Sequence, residues 1–212
     1  MLSDPDVTCL STLRRSTSLF AQGEKAEAIY WIEEGLFKLT RTNPEGGRLI
    51  LGVCGPGALI GEEALSGGTG VYHSEAEALT PSTVYKIPWA SVERQISVHP
   101  ELATAFLQFF LDLRLHFAYK VELLCLHGVE NRVLYYLGEL AKLVKPTEDE
   151  IGHALPMTQL ELADLVGATR ETISTTLKQL ERRGLVKLSR RLLTVYLTPG
   201  KATFAATPNG GA

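Results

Sequence analysis

Two adjacent residues of opposite charge, Arg170 and Glu171, begin a short segment in which polar and apolar residues recur at helical spacing. Thr175 and Lys178 follow on the same side of that segment. A guanidinium donates two hydrogen bonds to guanine O6 and N7, and a carboxylate accepts one from cytosine N4. These residue types therefore predict contacts with base edges, provided that a helix carries them into the major groove of DNA.

The residues just before this segment predict a first helix over residues 159–166. Thr158 is its expected N-cap, and Glu161 lies at the spacing of a capping box. Gly167 ends the helix, because glycine adopts the left-handed conformation without steric cost. The expected buried side of this helix consists of Leu160, Leu162, Ala163 and Val166.

Thr169 then caps a second helix, which holds Arg170 and Glu171 in its first turn. The packing stripe of this helix consists of Ile173, Leu177 and Leu180. Two helices joined by a tight turn predict a helix-turn-helix, whose second helix enters the major groove. A helical hairpin of this kind is also common in protein cores, so other features must separate the two interpretations.

Three further features favour a DNA contact. Cationic residues 182 and 183 end the second helix, where the negative end of the helix dipole lies. Residues 185–197 predict two strands around a turn at Ser189, Arg190 and Arg191, which is a winged-helix hairpin. Residues 156–201 carry 8 Lys and Arg against 4 Asp and Glu, whereas the remaining residues carry 13 against 20. A basic region on an acidic chain is typical of one domain that binds phosphate.

Composition sets the broad class of the protein. A chain of 212 residues, 45% of them apolar, is long enough for two domains with separate cores. No apolar run approaches the roughly 20 residues that cross a bilayer, and the N-terminus lacks a signal-peptide pattern. We therefore expect a cytoplasmic protein without membrane contact. The spacing of Cys9, Cys54 and Cys125 predicts ordinary thiols, and we expect neither a metal site nor a cofactor.

Residues 17–88 predict a domain of short strands. The segments that alternate or run apolar between turn signals are AIYWIEEG, LFKLTRTNPEGG, RLILGVCGPGALIGEEAL and STVYKIP. Residues 43–47 have the chemistry of a hairpin turn. Many short strands at this spacing predict a small antiparallel double-sheet barrel of jelly-roll type. A short helix is expected next, from Trp89 to Ile96.

A long helix is predicted over residues 101–127. Its coiled-coil-like seam consists of Phe106, Phe110, Leu113, Phe117, Val121 and Leu124, at spacings of 4, 3, 4, 4 and 3. Apolar surface on other faces is added by Leu107, Phe109, Leu111, Leu115 and Leu123. A helix packed only on its own barrel would need less apolar surface. We therefore expect one face on the barrel and one on the same helix of a second subunit, which gives a homodimer.

These elements together resemble the cyclic-AMP receptor and fumarate–nitrate regulator (CRP/FNR) family of bacterial transcription factors. The landmarks are QGEKAEAIYWIEEG (22–35), GPGALIGEEAL (55–65), ENRVLYYLGELA (130–141) and TRETISTTLKQLERRGLV (169–186). The resemblance implies an α+β fold with an N-terminal β-roll at 1–98, a dimerisation helix at 99–127, a winged helix-turn-helix at 128–205 and a flexible tail at 206–212. It also implies a dimer that binds a pseudo-palindromic operator in double-stranded DNA, with RNA polymerase as a partner in activation.

The resemblance assigns roles within the predicted DNA domain. It makes Arg170 and Glu171 base readers, and Thr175 stands where activator members often carry a second arginine. Thr175 is expected to offer a methyl contact to thymine instead. The expected phosphate contacts are Thr158, Thr169, Ser174, Lys178 and Arg190. The loop at 146–154 and the hairpin tip at 42–48 are candidates for contact with polymerase, and each could equally be an ordinary solvated turn.

The effector site of the family is degenerate in this chain. In nucleotide-binding members a glutamate holds the ribose, and an arginine and a serine hold the cyclic phosphate. Glu62 matches the glutamate, but Tyr72 and His73 stand at the other two positions, and both are poor substitutes for a guanidinium. Phe117 and Ala118 replace the hydroxyl pair that meets the adenine. We therefore predict a regulator that is active without cyclic AMP.

Other functions stay open from the residues alone. The roll could take another small effector, including a haem with His73 as axial ligand, or the chain could be a nucleotide-binding module without DNA binding. An enzyme is not expected and no catalytic residue is assigned, because no Ser/His/Asp, Cys/His or phosphate-loop arrangement is evident. Glu62 and Glu63 are adjacent, but in an extended segment their side chains would point to opposite faces.

Overall fold

The computed structural model describes residues 4–67, 69–146, 152–189 and 193–196. The chain forms two compact units, Met1–Cys125 and Leu126–Ala212. The first contains a roll of strands followed by two helices, and the second contains helices and a small sheet. Among the described residues, no helix is both long and apolar enough to cross a membrane.

Antiparallel strands form the roll of the first unit. They are β1 (Thr8–Leu13), β2 (Ser18–Phe20), β3 (Ala28–Glu34), β4 (Phe37–Thr42), β5 (Arg48–Cys54), β6 (Leu59–Ile60), β7 (Glu75–Ala78) and β8 (Ser82–Pro88). Two four-stranded sheets have the orders β1-β8-β3-β6 and β2-β7-β4-β5. The predicted double-sheet fold class is confirmed. The sequence pattern missed β1, β2 and β7. Strand β7 alternates glutamate with alanine, whose small side chain gives a weak hydrophobic signal.

Side chains from both sheets fill the interior of the roll. Its buried core includes Phe20, Ala28, Ile29, Tyr30, Ile32, Phe37, Ile60, Tyr72, Ala76, Ala78, Val84 and Ile87. Tyr72 is only 2% exposed although it lies in the connection before β7. The position that the sequence assigns to an effector site therefore belongs to the hydrophobic core.

A short 3₁₀ helix, Glu62–Ser66, follows β6. This corrects the expectation of an extended segment at Glu62 and Glu63. Gly61 precedes the helix with φ of 80°, a left-handed conformation in which glycine turns the chain at low steric cost. The turn is therefore set by one glycine that no strand pattern reveals.

Two helices follow the roll, α1 (Trp89–Val98) and α2 (Glu101–Leu126). One side of α2 lies against the roll, where Phe106 contacts the core and Lys120 and Leu123 are buried. On its other side the exposed apolar residues are Leu107, Phe110, Leu111, Leu115 and Val121. The helix therefore has apolar surface on both sides, as its sequence indicates.

The second unit contains α3 (Val129–Leu143), β9 (His153–Leu155), α4 (Gln159–Val166), α5 (Arg170–Arg182), β10 (Val186–Leu188) and β11 (Leu193–Val195). The strands form an antiparallel sheet in the order β10-β11-β9. Thr158 and Glu161 form the predicted capping box of α4. Gly167 ends α4 in the left-handed conformation, with φ of 71°. The predicted helix bounds and caps of the helix-turn-helix are confirmed.

Two expectations about this unit are wrong. Leu160 is 51% exposed rather than buried, because it lies on the side of α4 opposite to Leu162 and Val166, and Leu165 is buried instead. Residues 153 and 154 of the predicted loop at 146–154 belong to β9, which pairs with β11. Residues 147–151 of that loop, Arg190 and Arg191 of the predicted wing turn, and the predicted tail at 206–212 lie outside the described residues.

The contact between Gly61 and Tyr72 predicts a difference between two glycine substitutions. A methyl group on Gly61 would lie 3.1 Å from Tyr72 Cε1, whereas one on Gly57 would meet nothing within 4 Å. Both glycines have positive φ, so alanine should cost about 1–2 kcal/mol at either position. Gly61→Ala should lose a further 1–3 kcal/mol, roughly, from overpacking. Urea unfolding of Gly61→Ala and Gly57→Ala measures the difference, and equal losses would contradict a tightly filled interior.

Candidate nucleic-acid interface

The predicted base readers share one exposed surface of α5. Glu171, Thr175 and Lys178 are exposed on one side of the helix, and Arg170 is exposed in its first turn. Arg182 lies one turn beyond Lys178 and extends the same side. The sequence analysis missed Arg182 as a candidate ligand because it was assigned only to the end of the helix. On the opposite side, the buried residues are Ile173, Thr176, Leu177 and Leu180.

The charged groups of this surface are available to a ligand. The side chains of Arg170, Glu171 and Lys178 form no hydrogen bond or ion pair within the part of the chain that the structure describes. Within the described residues, these two cations and one carboxylate therefore lie along α5 without internal neutralisation. Such a row of cations attracts an anionic backbone, while the carboxylate disfavours groups that cannot donate a hydrogen bond.

The predicted phosphate ligands occupy different environments. Thr158 Oγ1 accepts from the backbone N–H of Glu161 at 3.1 Å, and Thr169 Oγ1 accepts from that of Thr172 at 3.2 Å. Both threonines are exposed, so their hydroxyls lie at the surface while they cap α4 and α5. Ser174 is half-buried, and Arg190 lies outside the described residues.

Side-chain contacts hold α5 within its unit, and the sequence analysis found none of them. Arg132 on α3 donates to the carbonyl of Gly167 at 3.3 Å, in the turn that precedes α5. Arg183, just after α5, pairs with Glu130 on α3. Glu181 Oε1 accepts from the backbone N–H of Leu188 in β10 at 2.7 Å. These contacts link both ends of α5 to neighbouring elements, and the two contacts with α3 join residues too far apart in the sequence to leave a local pattern.

Tyr72 is directed into the roll, where an effector would be expected to bind. Its hydroxyl donates to the carbonyl of Ala28 at 2.6 Å and accepts from the Ala28 N–H at 3.3 Å. Its ring stacks on Phe20 with centroids 3.9 Å apart. Burial raises the pKa of the phenol, so it remains a neutral donor at physiological pH. Tyr72 is therefore a packed and hydrogen-bonded core residue.

The other predicted effector residues on the roll, Glu62 and His73, lie in surroundings different from those of Tyr72. Burial raises the pKa of Glu62, and the neighbouring charge of Glu63 adds to that shift. His73 is exposed, and its backbone N–H donates to Glu63 Oε1 at 2.9 Å. The N–H that follows Tyr72 is thus bonded to a carboxylate of the chain itself. Among the described residues, no group of His, Cys, Asp and Glu is placed to hold a metal ion.

The predicted residues on α2 divide between its two sides. Phe117 is half-buried and Ala118 is exposed. Of the predicted dimer seam, Phe110 and Val121 are exposed, whereas Phe106, Leu113, Phe117 and Leu124 are half-buried. The free thiols Cys9 and Cys125 are exposed, and burial raises the pKa of Cys54 to about 12.

Lys120 is a buried residue of α2 that the sequence analysis missed. It is 4% exposed, and its Nζ donates to the carbonyls of Ile50 and Leu51 at 2.6 and 3.0 Å. Burial lowers its pKa to about 8. Lysine is ordinarily read as a surface residue, and only its place in the seam pattern, between Phe117 and Val121, could have drawn attention to it.

Two family models match this chain. Residues 10–99 match the cyclic nucleotide-binding domain, and residues 131–197 match the Crp-like helix-turn-helix domain. The chain belongs to the CRP/FNR family. Like its relatives, this CRP/FNR chain is a transcription regulator with a helix-turn-helix DNA-binding domain, and it is not an enzyme.

Relatives resemble the CRP/FNR chain over most of their length. The transcriptional regulator LdrP of Thermus thermophilus is 30% identical over 86% of this chain and 89% of its own. The cAMP-activated global transcriptional regulator CRP of Salmonella typhimurium is also 30% identical, over 86% and 87%. The structure of FixK2 from Bradyrhizobium japonicum, 23% identical, covers 92% of this chain and 95% of that one with a TM-score of 0.80, which supports the fold.

Burial of Lys120 predicts a pH dependence of stability. Its pKa is about 8 in the folded state and about 10.4 when unfolded. Between these values the unfolded chain binds more protons, so stability should rise with pH by up to about 1.4 kcal/mol per unit. Below the folded pKa, the buried ammonium is charged in both states and that gain is absent.

Urea unfolding of the wild type and Lys120→Met across this range isolates the contribution of Lys120. The difference between the two proteins should move in favour of the wild type as pH rises, because methionine does not titrate. Parallel curves would contradict a strongly desolvated ammonium.

Proposed function

We propose that this CRP/FNR regulator binds a pseudo-palindromic operator in double-stranded DNA as a homodimer and does so without cyclic AMP. The placement of Tyr72 carries the proposal. The residue that stands at the phosphate-binding arginine position is instead buried, stacked on Phe20 and bonded to Ala28. Side chains of the protein itself thus fill the interior of the roll at this position.

The chemistry around Tyr72 supports independence from a cyclic nucleotide. A cyclic phosphate needs a guanidinium or several free N–H groups to replace its water. Here the phenol is committed to Ala28, and the N–H of His73 is bonded to Glu63. A phosphate at this position would displace one carboxylate and lie near another, Glu62. That electrostatic environment disfavours an anionic ligand.

The exposed side of α2 supports a dimer of this chain. Leu107, Leu111 and Val121 are 70%, 52% and 59% exposed. Exposed leucine and valine at helical spacing form an apolar stripe of the kind that pairs with a second helix. Two copies related by a twofold axis would present two α5 helices to half-sites about 10 base pairs apart.

The exposed side of α5 supports direct reading of bases. Arg170 is proposed to contact guanine and Glu171 cytosine. Thr175 is proposed to contact a thymine methyl group, so the preferred site should differ from that of members with arginine at this position. Lys178 is proposed to contact phosphate, together with Thr158, Thr169, Ser174 and Arg190.

The hairpin tip at 42–48 is proposed as the surface that contacts RNA polymerase in the cytoplasm. Residues 42–48 are exposed. The side-chain amide of Gln22 donates to the Thr42 carbonyl at 3.0 Å and accepts from its N–H at 2.8 Å. This pair of hydrogen bonds supports the base of the tip and favours a defined protein-binding surface.

Different roles for Arg170 and Lys178 predict different losses on substitution. Arg170→Ala should weaken binding to the preferred site by about 1–3 kcal/mol and relax specificity at one base. Lys178→Ala should weaken specific and random DNA alike and reduce the salt slope by about 1. Fluorescence anisotropy titrations over a salt series distinguish them. Equal losses of Arg170→Ala on specific and random DNA would contradict base reading.

Selection of DNA fragments by the purified, nucleotide-free protein tests the proposed function. A twofold-symmetric motif with half-sites about 10 base pairs apart should be enriched without any added small molecule. Arg170→Ala serves as the control, since it should lose enrichment at the guanine of each half-site. Enrichment that appears only after addition of a small molecule would refute independence from an effector.

A further inference from the structure

Apolar contacts alone do not determine which side of α2 faces the roll. Lys120 is buried against the roll, whereas Leu107, Leu111 and Val121 are exposed on the other side. A helix that is apolar on both sides buries a similar area in several rotational settings about its axis. A directional contact is therefore needed to fix which side faces the roll.

Lys120 supplies such a contact. Its Nζ donates to two successive backbone carbonyls, of Ile50 and Leu51, at 2.6 and 3.0 Å. Hydrogen bonds weaken steeply with distance and angle, unlike apolar contacts. Turning α2 would break these two hydrogen bonds and take the buried ammonium away from its carbonyl acceptors, which is strongly unfavourable.

A bulge in β5 allows the carbonyls of Ile50 and Leu51 to accept from the same ammonium. Leu39 pairs with Gly52 while Thr40 pairs with Ile50, so Leu51 is an extra residue with no partner in β4. Successive carbonyls of a regular strand point to opposite edges, and a bulge breaks that alternation. One ammonium can then reach both. Since β5 is an edge strand of its sheet, α2 approaches it without competition from another strand.

We propose that Lys120 is a positioning residue that fixes the rotation of α2 on the roll and so selects the side offered to a second copy of this chain. Val121 follows Lys120 and is turned from it by about 100°, which places it at the exposed side. The inference rests on the proposed dimer. It adds a residue that determines which side of α2 forms the dimer interface.

This role differs from a contribution to stability. A buried charge replaced by an apolar residue of similar volume often leaves a protein as stable or more so, while specificity is lost. Lys120→Met should therefore fold with normal stability at neutral pH, but its α2 should no longer keep a single rotational orientation on the roll. Lys120→Arg keeps charged donors and should retain a preference. Lys25→Met removes the same charge from an exposed position of the same unit and is the matched control.

Disulfide cross-linking between subunits reports which side of α2 faces the second subunit. The full-length chain, with Cys9→Ser and Cys125→Ser, carries a single reporter as Val121→Cys or Phe109→Cys. Phe109 is half-buried and lies three turns before Lys120 on the same side. In the wild-type background we expect cross-linking about tenfold faster with the reporter at position 121 than at 109. Lys25→Met should leave that ratio unchanged.

The substitutions at Lys120 decide the proposal. Lys120→Met should reduce the preference for position 121 from about tenfold to below about threefold, and Lys120→Arg should keep it above about threefold. A tenfold preference that survives in Lys120→Met overturns the proposal. If Lys120→Met fails to fold, the wild-type pattern and Lys120→Arg still decide, and equal cross-linking at both reporters in the wild type is also a refutation.

Hydrogen–deuterium exchange separates this inference from the proposed dimer. Lys120→Met should speed exchange of backbone N–H groups in residues 117–123 relative to Lys25→Met, even in a monomer. Unchanged exchange overturns the anchoring by Lys120 itself. A wild-type protein that sediments as a monomer would instead refute the dimer, while the exchange result would still report on Lys120.

Discussion

Packing of Tyr72 inside the roll is the interaction on which this CRP/FNR regulator depends. Its stacking on Phe20 and its hydrogen bond to Ala28 join the connection before β7 to β2 and β3. Ring stacking and a buried hydrogen bond each contribute on the order of 1 kcal/mol. A side chain at Gly61 would crowd the Tyr72 ring, since a Cβ there would lie 3.1 Å from Tyr72 Cε1. The residue that stands at the arginine position of a nucleotide receptor is therefore part of the core.

In the DNA-binding unit, α5 is held on one side and at both ends while its charged side chains stay exposed. Buried aliphatic residues fix one side of the helix, and Arg132, Arg183 and Glu181 link its ends to neighbouring elements. Arg170, Glu171 and Lys178 remain uncommitted within the described residues. Local contacts within the unit therefore orient α5 and leave the exposed side of the helix accessible.

The sequence predicted the elements whose signals are local. The caps Thr158 and Thr169 and the terminator Gly167 lie within a few residues of the helices that they bound, so α4 and α5 were placed correctly. The sequence identified Tyr72 as a poor phosphate ligand, but its stacking on Phe20 depends on residues far apart in the chain. For the same reason β9 was missed, since a three-residue strand needs its partner β11. The burial of Lys120 contradicts the usual preference of lysine, and only the β5 bulge explains it.

Thermal unfolding with and without cyclic AMP tests the packed interior most directly. A ligand that binds only the folded state stabilises it by about 2.7 kcal/mol at a concentration of 100 times its Kd. If Tyr72 fills the roll, the Tm of the purified protein should not change with cyclic AMP at millimolar concentration. A saturable rise in Tm with cyclic AMP would contradict the account, because the nucleotide would then share the interior with the aromatic ring.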